Sequence, residues 1–215
     1  MRLSSLRSLH PRERLMALSD GVFAVAITFI GFDVLAAATH TPEGEPLGHA
    51  LAEQWPTYLA YIIGFLTILV CWINHQVVYE CVPRMNAGLV WLNGAQIALV
   101  AAVPMPTALL AEHLQDEGQR LAFTIYGAAF FLIATSFWVT GAFISRRGLL
   151  AESADAGLHA GLTRCYAYSV LWTATAIVVC QFSVLLAVVM WALMFALFAF
   201  PLQFGNWARL RGHTS

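Results

Sequence analysis

Eleven arginines supply all the fixed positive charge of this chain, and ten of them fall on one side of a series of long apolar runs. Charged residues make up 11% of the chain and hydrophobic residues 60%, with a mean hydropathy of +0.71. A soluble domain carries about 25% charged residues, so this composition marks an integral membrane protein. Apolar runs at 15–38, 56–79, 87–111, 120–145, 162–181 and 183–205 approach or exceed the ~20 helical residues that cross a bilayer core. They are too continuously apolar for barrel strands, which alternate over about ten residues. Helices satisfy their own backbone groups in lipid. The last two runs are one uncharged stretch, split by a tight turn expected at Gln181-Phe182-Ser183.

The arginines give the expected threading. Arg2, Arg7, Arg12 and Arg14 precede the first run, and Arg84 follows the second. Arg146, Arg147 and Arg164 lie between the fourth and fifth, and Arg209 and Arg211 follow the sixth; only Arg120 falls opposite. The opposite loops carry Glu43, Glu45, Glu53, Glu112, Asp116 and Glu117. The positive-inside rule then places both termini in the cytoplasm. The first apolar run is of full span length and lacks a small-residue cleavage site, so no cleavable signal is expected. The four cysteines have no metal or redox spacing. There is no nucleotide loop and nothing that points to nucleic acid. Residues 1–215 read as a single six-helix transmembrane domain of the all-α class.

Polar residues at membrane depth are the candidate functional residues, because they are costly there and face protein or water. Asp20 lies near the start of the first run and His75 near the end of the second, at similar depth, with Ser19 and Asn74 beside them. Two readings stand: a proton or ion site, or an interhelical hydrogen-bond cluster that fixes packing. Asp33 lies near the outer end of the first run. The third run carries Asn93, Gln96 and then Pro104 and Pro106, which kink a helix. At 100° per residue, Arg14, Gly21, Val25, Thr28 and Phe32 fall within about 40° of one line on the first helix, with Phe29 at its edge. Ser19 and Asp20 point well away from it. Such an apolar stripe with one mid-membrane hydroxyl serves as a lipid-facing surface, a packed face or a pore lining.

Arg14-x-x-x-Leu18-Ser19-Asp20-Gly21 resembles the Arg-x-x-x-Phe-Ser-Asp-Gly signature of prokaryotic homologues of the endosomal/lysosomal potassium channel. The blocks Phe65 to Gln76, ending Trp72-Ile-Asn74-His75, and Trp91-Leu-Asn93 through Pro104-Met-Pro106-Thr107 are similar to the same family and occur in its order. Leu18 replaces the usual phenylalanine, and Gln76 stands where a second histidine is common. The resemblance implies a homotetramer in the bilayer, both termini cytoplasmic, with the first helix of each subunit lining a central pore. It implies a cation channel modestly selective for potassium over sodium, without the Thr-Val-Gly-Tyr-Gly filter, which this sequence also lacks. Carried over by position, Val25, Phe29 and Phe32 form apolar constrictions and Thr28 a hydroxyl layer. Arg14, Ser19, Asp20, Gly21, Trp72, Asn74 and His75 form a structural network between the first two helices. No cofactor and no metal beyond transient potassium is expected, nor an enzyme: no nucleophile–base pair and no His-Glu-x-x-His arrangement is present. An arginine-only, alanine-rich composition points to a bacterial inner membrane. The alternative is a proton-coupled transporter or proton pathway that uses Asp20 and His75, although the two halves show no repeat. His40, His49 and His113 in the outer loops are candidate pH-sensitive groups.

Overall fold

The computed structural model describes residues 11–39 and 44–199. Arg2, Arg7, His40, Glu43, Arg209, Arg211 and the end of the sixth apolar run lie outside them. The described residues form eight helices: α1 (Pro11–Thr39), α2 (Leu47–Glu53), α3 (Trp55–Glu80), α4 (Ala87–Ala101), α5 (Pro104–Glu112), α6 (Gln119–Arg147), α7 (Ala156–Cys180) and α8 (Val184–Ala199). Five spans among them are long and apolar enough to cross a membrane: α1, α3, α4 with α5, α6 and α7. The apolar helix α8 is shorter within the described residues. The expected runs thus all appear as helix, with three differences. The third is broken at Ala102-Val103, because Pro104 and Pro106 lack the amide hydrogens that would continue it. The fifth starts at Ala156 rather than 162, since Asp155 accepts from the Leu158 amide at 3.0 Å and caps it early. Loop 39–55 contains the short helix α2.

Each helix end has a local cause. Gly148 adopts φ +60° after α6, and the Leu149 amide reaches back to Ile144 O at 3.1 Å, which closes the last turn. Arg146 and Arg147 in that turn complement the helix dipole. Asn86 caps α4 through the Leu89 amide at 2.9 Å. Between α7 and α8 the chain turns at Gln181-Phe182-Ser183 as expected, and Ser183 Oγ accepts from the Leu186 amide.

The arginine-bearing ends come together in space. Arg12 donates to Tyr79 O at 3.1 Å, and the Ala151 amide donates to Cys81 O at 2.9 Å. These bonds join the start of α1, the end of α3 and the α6–α7 loop. At the other end Gln181 donates to Thr124 Oγ1 at 2.9 Å.

The core lies between α1, α3, α4 and α6, around Phe23, Ile30, Ile68, Tyr79, Leu89, Val100, Phe137 and Ile144. Lipid is as apolar as this core, so close packing rather than burial from water holds the helices together. Small residues permit it. A Cβ on Gly64 of α3 would sit 2.9 Å from both Ile30 Cδ1 of α1 and Thr107 Cγ2 of α5, and one on Gly141 of α6 would sit 2.7 Å from Thr163 Oγ1 of α7. We expect Gly141→Leu to destabilise the detergent-solubilised protein by about 1–3 kcal/mol, the range for overpacking. A thermal melt that matches the wild type would show that α6 and α7 do not pack this closely.

Candidate functional site

The α1 helix presents two opposite faces. Ser19, Phe23, Ala26 and Ile30 are buried against α3 and α4. About 160° around the helix, at 100° per residue, lies the stripe the sequence picked out. Arg14, Gly21, Val25, Thr28, Phe29 and Phe32 are all exposed; Val25 is 53%, Phe29 56% and Phe32 55% exposed. No other part of the described chain covers them. The Phe29 and Phe32 rings meet edge to face at 6.2 Å. Thr28 Oγ1 donates its proton to Ala24 O at 2.8 Å. Its oxygen keeps the capacity to accept, and the residue is exposed. A Cβ on Gly21 would meet nothing within 4 Å, so nothing in this subunit requires glycine there.

The buried face carries a directed hydrogen-bond chain. His75 Nε2 lies 2.7 Å from Asn93 Oδ1, Asn93 Nδ2 donates to Ser19 Oγ at 3.1 Å, and Ser19 Oγ donates to Leu15 O at 3.0 Å. All three contacts are satisfied when His75 donates from Nε2, the Asn93 amide donates on to Ser19, and the serine hydroxyl closes onto backbone. Three helices, α1, α3 and α4, are tied by this chain.

Asp20 belongs to a different set. Its Oδ1 accepts from Trp72 Nε1 at 2.8 Å and from Gln76 Nε2 at 2.6 Å, both on α3 and one turn apart. Asp20 and His75, expected at similar depth, are thus on neighbouring helices but have separate partners. Asn74 turns the other way: its Nδ2 donates to Val70 O and its Oδ1 accepts from Tyr166 OH of α7 at 3.0 Å. Trp72 is partly exposed. Arg14 makes no hydrogen bond or ion pair with the described residues. Asp33 is half-buried near the far end of α1.

Asn93, Gln76 and Tyr166 carry contacts that were not assigned to them from sequence. Trp72 and Gln76 are four apart, hence on one face of α3, which was the available signal for the second. Asn93 and Ser19 are 74 residues apart and offered no local one.

Outside the spans, Glu45, His49 and Glu53 place their ligand atoms within 4.8 Å of one another. These groups could hold a cation, but they also satisfy each other: His49 Nδ1 lies 2.5 Å from Glu45 and 3.7 Å from Glu53. The hydrogen bond to Glu45, then the two glutamate charges, raise the pKa of His49 above its ordinary 6.5. A raised value means the pairing is full below 6.5 and is lost as pH rises through the higher folded value. We expect the NMR titration midpoint of His49 to lie above that of a free histidine and to fall in Glu45→Gln; equal midpoints would mean that the pair does not form in solution.

Removal of the Asn93 amide tests the buried chain. We expect Asn93→Leu to cost about 1–3 kcal/mol of stability by stranding His75 and Ser19, and Ser19→Ala to cost less. Equal, small shifts in melting temperature would show that Asn93 does not organise the cluster.

Residues 14–104 match the family described as endosomal/lysosomal potassium channel TMEM175. A potassium channel of Streptomyces collinus is 41% identical over 140 residues, 65% of this chain and 67% of that one. A potassium channel of Chamaesiphon minutus is 37% identical over 72% of this chain and 77% of that one. Human TMEM175, named an endosomal/lysosomal proton channel, is 28% identical over 60% of this chain, which covers only 28% of its length. The crystal structure of a lysosomal potassium-selective channel TMEM175 homolog from Chamaesiphon minutus superposes with a TM-score of 0.74, covering 87% of this chain and 96% of that one at 30% identity. With its apolar helices, this chain is a multi-pass membrane protein of the TMEM175 potassium channel family.

Proposed function

We propose that the chain is a cation channel, modestly selective for potassium over sodium, in which four copies set their α1 helices around a central pore. The observation that carries this reading is the uncovered stripe of α1. It is apolar at Val25, Phe29 and Phe32 and presents one oxygen, that of Thr28, which keeps the capacity to accept. A ring of four such oxygens can replace part of a cation's hydration shell. Potassium releases water more readily than sodium, so a weak oxygen ring without a carboxylate favours potassium, but only modestly. The apolar rings act as the gate: when narrow they exclude water, and a dewetted constriction stops ions without any charge. The six-span threading puts both termini in the cytoplasm of a bacterial inner membrane, in line with the arginine-rich end of the bundle. Exposed Gly21 would let a neighbouring subunit approach α1 closely.

Asp20 acts in this reading as a positioning residue. Through Trp72 and Gln76 it fastens the pore helix to α3 rather than meeting the ion.

A second reading is proton conduction, favoured by the name of the human relative. Liposomes loaded with potassium and a pH-sensitive dye separate the two. We expect potassium efflux ahead of sodium with a protonophore present, and weaker acidification without it. Val25→Ala should raise the basal leak, and Thr28→Val should lower the potassium-to-sodium ratio. Wild-type flux in both variants would remove the pore from α1. Asp20→Asn should reduce the yield of tetramer with ion preference unchanged in what assembles; an intact tetramer with altered preference would place Asp20 in the ion path.

A further inference from the structure

The buried face of α4 carries two carboxamides one turn apart, Asn93 and Gln96, both 0% exposed. Asn93 donates to Ser19 and accepts from His75. Gln96 does neither: its Nε2 and its Oε1 are both buried and meet no partner among the described residues. Among those residues it is the one side chain left open at both its donor and its acceptor. The His75 ring is open at one end. Its Nδ1 is buried without a partner, while its Nε2 holds Asn93. A buried donor or acceptor left unmade costs more than the hydrogen bond itself would gain, so such groups are matched in folded proteins.

Helix geometry brings these atoms toward one place. Residues three apart on a helix are neighbours, with Cβ atoms about 5–6 Å apart, so Gln96 starts beside the amide that holds His75. His75 lies near the end of α3 and Asn93 near the start of α4, and the two are hydrogen-bonded, so these helices run in opposite directions. Side chains lean toward the N-terminus of their own helix. Gln96 therefore leans back toward Asn93, and His75 leans deeper, toward the level of Gln96. Around them the set is closed by rings: Phe23 of α1 meets the His75 ring edge to face at 5.4 Å, and the Tyr79 ring lies 4.6 Å from it.

The chemistry of the open atoms selects the occupant. An amide nitrogen only donates and an amide oxygen only accepts, so the occupant must do both. An ion at this depth needs an opposite charge beside it. The neighbouring carboxylate, Asp20, accepts from Trp72 and Gln76 instead. An apolar molecule would leave all three atoms open. Water meets each condition, and internal water typically makes about three hydrogen bonds to buried groups of this kind. We infer that the core between α3 and α4 holds ordered water, bound by the Gln96 carboxamide and bridging it to His75 Nδ1. This water extends the Ser19–Asn93–His75 chain to a fourth side chain. The site does not depend on where the ion pore lies.

X-ray radiolysis of the full chain in nanodiscs tests this. Radiolysis makes hydroxyl radical from water where the water sits, so a side chain beside bound water is oxidised even when bulk solvent cannot touch it. We expect His75 to be oxidised in the wild type despite its complete burial, read by mass spectrometry of its peptide. Gln96→Leu, which has no amide to hold water, should lose that label. His49, exposed in the outer loop, should label alike in both proteins. An unlabelled His75 in the wild type overturns the proposal, and so does a label that persists in Gln96→Leu. Should that variant fail to assemble, electron microscopy of the wild type, at a resolution that shows ordered water, decides. Density within hydrogen-bond distance of both Gln96 and His75 Nδ1 supports the site. Side chains packed together with no density between them, or Gln96 paired to another protein group, overturn it.

Discussion

The side-chain amide of Asn93 ties the buried face of α1 to α3 and α4. Hydrocarbon offers no hydrogen-bond partner, so a hydroxyl at membrane depth is satisfied by its own helix, as at Thr28, or by a neighbouring helix as well, as at Ser19. Ser19 turns to Asn93, and Asn93 in turn accepts from His75. With Ser19 held inward, the helical repeat carries Phe23, Ala26 and Ile30 inward with it. The same repeat sends Val25, Thr28 and Phe32 outward. The exposed stripe is thus the side of α1 opposite the face that Ser19, Phe23, Ala26 and Ile30 bury, and the packing at Gly64, where Ile30 and Thr107 close on the α3 backbone, fits that rotation.

Much of this was legible because it depends on local periodicity. The phase of α1 follows from 3.6 residues per turn, and the stripe of Val25, Thr28 and Phe32 is found exposed. The turn after Cys180 followed from length alone, since an uncharged run about twice one span must fold back. The arginines between runs foretold which helix ends meet, and Arg12 at Tyr79 and Ala151 at Cys81 join those ends. What was not legible depends on partners distant in sequence. An asparagine on α4 carries no mark of the serine it will meet 74 residues earlier. Equal depth placed Asp20 and His75 together, but depth does not give azimuth. Asp20 faces Trp72 and Gln76, while His75, three residues beyond Trp72, points to a different side of α3. The early start of α7 depended on a cap at Asp155, outside the apolar run that marked the span.

The separation of those two groups bears on how protons and potassium would share one architecture. A relay between Asp20 and His75 needs a continuous path of exchangeable protons. His75 Nε2 is committed to Asn93, and that chain ends on the Leu15 carbonyl, which has no proton to pass on. Asp20 accepts from two donors that are themselves poor acids, an indole and an amide. Among the described residues no hydrogen-bonded path joins the two sets. A wetted apolar ring requires none, because the water column that carries a partly hydrated potassium ion also carries protons. On the pore reading, relatives named for potassium and for protons need not differ in a titrating pair. They need differ only in how wide the apolar rings open and what oxygens line them. On that reading the question of ion preference moves from Asp20 and His75 to Val25, Thr28, Phe29 and Phe32, the uncovered residues of α1.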